Sequence, residues 1–293
     1  VPEELNSIIY SNQKLLYDAL YHAASATLNE LAKDAKYLGA NIGYICILHT
    51  WGSAMNYHPH IHTIVLGGGL DDENKWKETG GKFFLPYGVI SKVFRGKYLD
   101  ELKSLWNDSK LKFHGTAEKY QNSYRFKELL DKCYEKNWVT YCKETFNGAQ
   151  SVINYLGKYT HRIAISNHRI KSMTDTTVTY VVKDYKNEGC WKEKTISGEE
   201  FIRRFMMHVP PKRFVRIRHY GLLSCRNKRK KITLCRNLLG CKKYISTLKN
   251  LNAVEMIKVL YHIDVCKCSS CGGNMVSPRK DKYSSSFRAH MRC

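Results

Sequence analysis

His60-Ile61-His62-Thr63-Ile64-Val65-Leu66 is a run of apolar and β-branched residues, preceded by Asn56-Tyr57-His58-Pro59 and followed by Gly67-Gly68-Gly69. It predicts a strand that the glycines stop. Upstream, Gly43-Tyr44-Ile45-Cys46-Ile47-Leu48-His49 has the same character, and the segment from Thr50 to Pro59 holds Gly, Ser, Asn and Pro. The two runs predict an antiparallel pair joined by a longer loop. Working outward, residues 7–37 carry Ile8, Ile9, Leu15, Leu16, Ala19, Leu20, Ala23 and Ala24 at helical spacing, and further helices are expected over 88–107, 118–136, 149–162, 198–207 and 252–262. Strands are expected at 138–142 and 176–183, and 214–223 reads as an extended basic segment. Locally paired strands, separated irregularly by helices, argue for an α+β fold with an antiparallel sheet flanked by helices rather than a doubly wound one.

Of 293 residues 43% are apolar, and 48 Lys+Arg stand against 26 Asp+Glu, a formal charge of +22. That apolar content excludes a disordered chain. No stretch approaches the about 18 consecutive apolar residues of a membrane span, and the start has no basic-then-apolar secretion signal. The charge is concentrated: residues 1–100 carry net −1, 101–200 net +4 and 201–293 net +19. A final third that basic points to a polyanionic partner, nucleic acid before an acidic protein or a membrane. Eleven cysteines, scattered and odd in number, read as reduced thiols of a cytoplasmic protein, apart from a cluster near the C-terminus.

On a strand, His60 and His62 share one face while Ile61 turns to the other. Two imidazoles side by side make a bidentate metal site that needs one further ligand. His49, at the end of the presumed partner strand, can supply it. His58 competes, with Pro59 expected to turn the chain between it and the pair. The plain alternative is two surface histidines on a half-buried strand; four histidines within 14 residues of a hairpin favour the metal site.

Asn154-Tyr155-Leu156-Gly157-Lys158-Tyr159-Thr160-His161-Arg162 is the second constellation. Tyr155 and Tyr159 lie one helical turn apart on one face, with Lys158 and Arg162 as an adjacent i,i+4 pair. A phenol is a poor nucleophile at a pKa near 10, but beside a metal-polarised phosphodiester it can attack and hold a 5′ phosphate covalently. Alone, the tyrosine pair reads as an aromatic stripe packing a helix on a sheet.

Together, a His-hydrophobic-His pair and a helical tyrosine resemble the HUH superfamily of single-strand DNA nucleases. Longer strings carry a closer likeness: Leu48-His-Thr-Trp-Gly52, His58-Pro-His-Ile-His62, Val93-Phe-Arg-Gly96, Tyr155 to Arg162 with Ile165-Ser-Asn-His-Arg169, and Phe201-Ile-Arg-Arg-Phe205 with Arg216-Ile-Arg-His-Tyr-Gly-Leu222. In this order they resemble IS91-type transposases. The resemblance implies rolling-circle transposition in a bacterial cytosol, at the nucleoid, on single-stranded transposon ends and target DNA. It implies Mg²⁺ or Mn²⁺ on His60 and His62, with Tyr155 and Tyr159 as paired nucleophiles. It also implies a Cys-rich module and one more strand ahead of the segment Val1 to Asn6, so the expectation is a chain truncated at its N-terminus. A replication initiator or relaxase shares the HUH pair. A DNA-binding remnant that no longer cuts, and a zinc hydrolase using histidines and water, are the rivals from other classes.

Two basic or Cys-rich features remain. Arg216 and Arg218 would alternate onto one strand face as a phosphate track, with Tyr220 for base stacking, and Lys228, Arg229, Lys230 and Lys231 add a cationic run. In the tail, Cys268-x₂-Cys271 followed by two glycines resembles half a zinc knuckle, which His290 and Cys293 would complete as a structural Zn²⁺ site. The expected division is a nuclease domain over 1–165, a basic DNA-binding extension over 166–250 and a Cys-rich tail over 251–293.

Overall fold

The apolar stripe expected over 7–37 forms two helices, α1 (Asn6–Ser11) and α2 (Gln13–Lys33), because the backbone breaks at Asn12 (φ −133°). The buried Asn12 amide donates to the Ile8 carbonyl (2.9 Å) and the Lys112 carbonyl (2.7 Å), and its oxygen accepts from the Lys112 N–H (2.7 Å). A side chain that fastens two segments thus replaces one turn of helix. The computed structural model describes residues 1–79, 85–142, 149–160, 163–184, 189–241, 248 and 250–275; the side chains of 149, 150, 154 and 158–160 are not among what is described.

Beyond α2 the order is β1 (Asn41–Trp51), β2 (Tyr57–Leu70), β3 (Trp76–Glu78), α3 (Tyr87–Asn107), α4 (Ser123–Glu135), α5 (Ala149–Thr160), β4 (Ile170–Met173), β5 (Thr177–Asp184), β6 (Cys190–Ser197), α6 (Gly198–Met206), β7 (Ile217–Gly221), α7 (Lys228–Leu238) and α8 (Ala253–Tyr261). The fold is α+β, with an antiparallel four-stranded sheet in the order β3-β2-β1-β7 and a second antiparallel sheet in the order β4-β5-β6. Two compact units result, Val1–Cys241 and Lys242–Cys293.

Helix α2 covers one face of the first sheet. Its Leu16, Tyr17, Leu20 and Ala23 join Tyr44, Cys46 and Leu48 of β1 in a continuous buried cluster with Tyr98 and Leu102 of α3. Each leucine of that cluster contributes roughly 1.5–3 kcal/mol on burial. The Tyr21 hydroxyl, held in this layer, bonds the Leu48 N–H (3.0 Å) and donates to the Arg216 carbonyl, pinning β1 and the approach to β7 together.

Four further expectations change. Gly67-Gly68-Gly69 do not stop β2; the strand runs through them to Leu70. A Cβ on Gly68 would lie 2.4 Å from the Trp76 ring, and one on Gly69 2.6 Å from the Asn41 carbonyl, so the glycines are there for close approach within the sheet. Residues 138–142 form no strand: Trp138 is buried and donates to the Cys133 carbonyl (2.9 Å), while Val139 and Tyr141 stand exposed, with no strand paired to them among the described residues. The helix expected over 118–136 is a 3₁₀ segment, Gly115–Gln121, then α4, separated by Asn122, whose side chain caps α4 by accepting from the Arg125 N–H (3.1 Å). Finally, β3, β4 and β6 went unread. Trp76-Lys-Glu78, Ile170-Lys-Ser-Met173 and Cys190-Trp-Lys-Glu-Lys-Thr-Ile-Ser197 are mostly exposed and polar, so they lack the apolar signal that marks a strand.

Candidate functional site

Pairing of β1 with β2 sets His49 opposite His60 and Ile47 opposite His62. Opposed residues share a face, so the three histidines lie together on the side of the sheet away from Tyr44, Cys46 and Leu48. Ring centroids are 4.3 Å apart for His49–His62, 4.9 Å for His60–His62 and 5.6 Å for His49–His60. One ring nitrogen from each falls within 4.8 Å of the others, which makes this a three-imidazole group able to hold a metal ion.

The group fits such an ion. His60 Nδ1–H donates to the His58 carbonyl (2.6 Å), which leaves Nε2 with its lone pair, 3.0 Å from His62 Nε2. Neighbouring ligands with bonds of about 2.1 Å at right angles stand about 3 Å apart, the octahedral spacing of Mg²⁺-like ions. Metal ligation also requires neutral imidazole. Burial lowers the pKa of His60 to about 3, although the His58 carbonyl pulls the other way, and burial lowers that of His62 as well. His58 is exposed and stays outside the group; it contributes its carbonyl. Pro59 does not turn the chain, since β2 passes through it from Tyr57.

Helix α5 brings Tyr155 to the same place. Its hydroxyl is 2.8 Å from His62 Nδ1, so a single imidazole touches both His60 and the phenol. Lys158 and Tyr159 follow on α5; their side chains, and Arg162 altogether, lie outside the described residues.

The turn between the histidine strands is braced by side chains from the segments flanking the second sheet, Arg169 just before β4, Arg204 on α6 and His208 just after it. Met55 at its centre is fully buried with φ +56°, a left-handed conformation that a non-glycine side chain holds only under restraint. Arg169 donates to the Ser53 carbonyl (2.5 Å) and, through Nε, to the Val181 carbonyl (2.9 Å). Arg204 donates to the Ala54 carbonyl (3.1 Å) and Asn56 Oδ1 (3.2 Å). His208, buried, donates from Nε2 to the Met55 carbonyl (3.1 Å), while Nδ1 accepts from the Thr50 hydroxyl (3.2 Å). Burial lowers the His208 pKa, consistent with that neutral tautomer. Sequence reading did not assign these three a role, although Arg169 and Arg204 sit in quoted motif strings. No local pattern announces a turn that needs outside support.

The two arginines expected to share a phosphate track part company. Arg218 lies opposite Cys46, on the helix-covered face; it pairs with Asp18 (2.5 Å) and sits 4.0 Å from the centroid of the Tyr21 ring. Tyr220 stacks on Tyr44 at 5.2 Å instead of standing free for a base. Arg216 instead lies over Trp51 (5.5 Å), which stacks on His49 (4.7 Å). Lys228 to Lys231 form the first turn of α7, with no acidic residue in that turn and no side-chain cap. Cys268 and Cys271 are described, whereas His290 and Cys293 lie outside the described residues. Among the described residues no helix is long and apolar enough to cross a membrane.

Residues 43–231 match the family described as "Putative transposase". The chain is 40% identical over 241 residues to "Putative transposase y4qJ" of Sinorhizobium fredii (strain NBRC 101917 / NGR234), covering 82% of this chain and 61% of the relative. It is 28% identical over 287 residues to "Transposase for insertion sequence element IS801" of Pseudomonas savastanoi pv. phaseolicola, covering 94% of this chain and 65% of that protein. The chain thus spans under two thirds of the length of either relative. No solved structure matches it.

Proposed function

This chain belongs to that transposase family, of the IS91 type its motifs resemble, and on that premise we propose that it nicks and rejoins single-stranded DNA through a 5′-phosphotyrosine. The observation that carries the reading is the meeting of Tyr155 with the His49–His60–His62 group across 93 residues of sequence. His60, His62 and His49 would hold Mg²⁺ or Mn²⁺. When bound, such an ion supplies Lewis-acid charge beside the scissile phosphate and the departing 3′ oxygen.

The chain's own groups do the rest. The Tyr155 oxygen attacks phosphorus, the bond from phosphorus to the 3′ oxygen breaks, and the strand leaves as a 3′ hydroxyl. With Nε2 of His62 holding an ion, its Nδ1 would carry the hydrogen and donate it to the Tyr155 oxygen, steadying the phenolate, while the phenolic proton leaves to solvent as the attack begins. Attack by another 3′ hydroxyl reverses the exchange and frees the tyrosine, so no high-energy cofactor is consumed. Tyr159, one turn on, is the second nucleophile, allowing one tyrosine to hold a cleaved strand while the other acts. Trp51 and Arg216 beside His49 supply a stacking surface and a cation for the DNA. Lys158, Arg162 and Lys228 to Lys231 would contact phosphates. Four cations crowding the positive end of the α7 dipole conflict with helix electrostatics, and a bound phosphate chain relieves that conflict.

The test uses a single-stranded oligonucleotide labelled at its 3′ end, incubated with the full chain and Mn²⁺ and run on a denaturing gel. The label is expected to travel with the protein, and Tyr155→Phe with Tyr159→Phe to abolish the adduct. DNA retention with no adduct in the native chain would leave only a binding protein; metal-dependent cutting that ignores both substitutions would make it a hydrolase.

A further inference from the structure

The second sheet, β4-β5-β6, has a face that the reaction above does not use. Residues paired across antiparallel strands share a face. Tyr180 and Val182 of β5 turn inward, into a buried cluster with Met55 and Phe201. The alternate positions form the outer face: Thr179 opposite Thr195, Val181 opposite Glu193 and Lys183 opposite Trp191. Trp191 stands 61% exposed there. Strand β6 gives Lys192 and Lys194 to the inner side and its indole to the open one, the reverse of what burial alone selects. The Arg169 guanidinium lies over the Trp191 ring, 5.8 Å from its centroid, and leaves the other side of the indole to solvent.

Arg169 ties this indole to the histidine site. It donates to the Ser53 carbonyl (2.5 Å), and the Ser53 hydroxyl accepts from the Lys183 N–H (2.6 Å). Ser53 follows Trp51 by two residues, at most about 7 Å of chain, and Trp51 stacks on His49 with Arg216 over its ring. Each of these tryptophans is therefore paired with an arginine, and the turn at Ser53 joins the two pairs. An indole backed by a guanidinium offers a base a stacking surface and the adjacent phosphate a positive charge. Lys183, across from Trp191 on the same face, adds a further cation. Glu193 holds the next position of that face along β6, toward Thr195, so phosphates are favoured on the Arg169 side of the indole and disfavoured beyond it.

We propose that Trp191, backed by Arg169, is a second base-stacking platform for single-stranded DNA, carrying the strand from the histidine site past the Ser53 turn onto the open face of the second sheet. This rests on the substrate class of the nuclease reading and adds a binding position outside the cleavage machinery. Stacking accepts any base, because every base has a π-face. The platform therefore contributes affinity and the path of the strand rather than a choice of sequence.

The test is the affinity of the full chain for a fluorescein-labelled single-stranded oligonucleotide, read by anisotropy in EDTA so that no cleavage occurs. Trp191→Ala is expected to weaken binding about tenfold, equivalent to about 1.4 kcal/mol and within the range for one base on an aromatic ring, with an unchanged circular dichroism spectrum because the side chain is exposed. The slope of log affinity against log salt should stay as it was, since no charge is removed, whereas Lys183→Gln should lower that slope by about 0.7. Trp191→Phe should recover most of the affinity. A strand of the same length made of abasic nucleotides should bind the native chain and Trp191→Ala alike. Equal affinity of the two proteins for the normal strand, or a loss that the abasic strand reproduces, overturns the platform even where the 3′-labelled adduct still forms. A tenfold loss in a chain that forms no adduct keeps the platform and removes the nicking. No binding by the native chain overturns both.

Discussion

A manganese-induced rise in thermal stability that survives mild acid is the sharpest consequence of the histidine geometry. An ion that binds the folded chain alone at 100 times its dissociation constant adds about 2.7 kcal/mol of stability. For a chain of this size each kcal/mol moves the melting temperature by about 2–4 °C, so the rise should be about 5–10 °C. Acid separates this site from a pair of ordinary surface histidines. At pH 5.5 an imidazole of pKa 6.5 is about nine-tenths protonated, and proton competition costs about 1.4 kcal/mol per ligand, about 3 kcal/mol for two, which would cancel the whole rise. Here burial takes His60 to about 3 and lowers His62, so at pH 5.5 protons cost His60 almost nothing and His62 less than the ordinary imidazole's about 1.4 kcal/mol, and at least about half of the rise should persist. Metal-free stability moves the other way. A base with its folded pKa depressed binds fewer protons in the native state, so its contribution is complete above pH 6.5 and is lost as pH falls toward 3. The assay is differential scanning fluorimetry with and without Mn²⁺ at pH 7.5 and 5.5, repeated on His60→Ala/His62→Ala. A rise that vanishes at pH 5.5 while circular dichroism shows an intact fold, or one that the double variant retains, refutes the reasoning.

Three further outcomes are expected. His208→Ala strands the Met55 carbonyl and the Thr50 hydroxyl in a buried place, so urea unfolding should show a loss of about 1–3 kcal/mol together with a smaller Mn²⁺ effect, because the turn beside His49 loosens. Gly221→Ala puts a Cβ 1.9 Å from the Ile42 carbonyl at φ +57°; the left-handed penalty alone is about 1–2 kcal/mol, and denaturation should show more than that, whereas Gly157→Ala in α5, whose Cβ meets nothing within 4 Å among the described residues, should stabilise by about 0.5–1 kcal/mol. Replacing Lys228, Arg229 and Lys230 by alanine should reduce the slope of log affinity for single-stranded DNA against log salt by about 2; Arg218→Ala, which breaks the Asp18 pair on the covered face, should cost stability and leave that slope as it was.

Much of the candidate site could be read along the chain because its signals are local. His60 and His62 share a face by strand alternation alone, and Tyr155 and Tyr159 share one by helical period. His49 was reachable because two apolar runs with a loop between them pair antiparallel, which puts the end of one beside the start of the other. The fold class followed from the same runs. The errors came where a residue's neighbours, and not its own preferences, decide. Gly67 to Gly69 look like a stop until Trp76 lies against Gly68; Asn12 looks helical until Lys112 takes its amide; Cys190 to Ser197 look like loop until Val178, Tyr180 and Val182 of β5 provide a partner with a buried face.

The amino-acid order by itself determined which side chains could do chemistry and how each pair is spaced, since a strand or helix repeats the same geometry wherever it lies. Only the folded chain decided which of them meet. Tyr155 comes to His62 from 93 residues away, Arg169, Arg204 and His208 reach back to hold the turn at Met55, and Arg216 and Arg218, two residues apart, go to different tasks because one is claimed by Trp51 and the other by Asp18. Those outcomes depend on packing and on satisfying buried polar groups across long loops, and such terms have no period in the sequence.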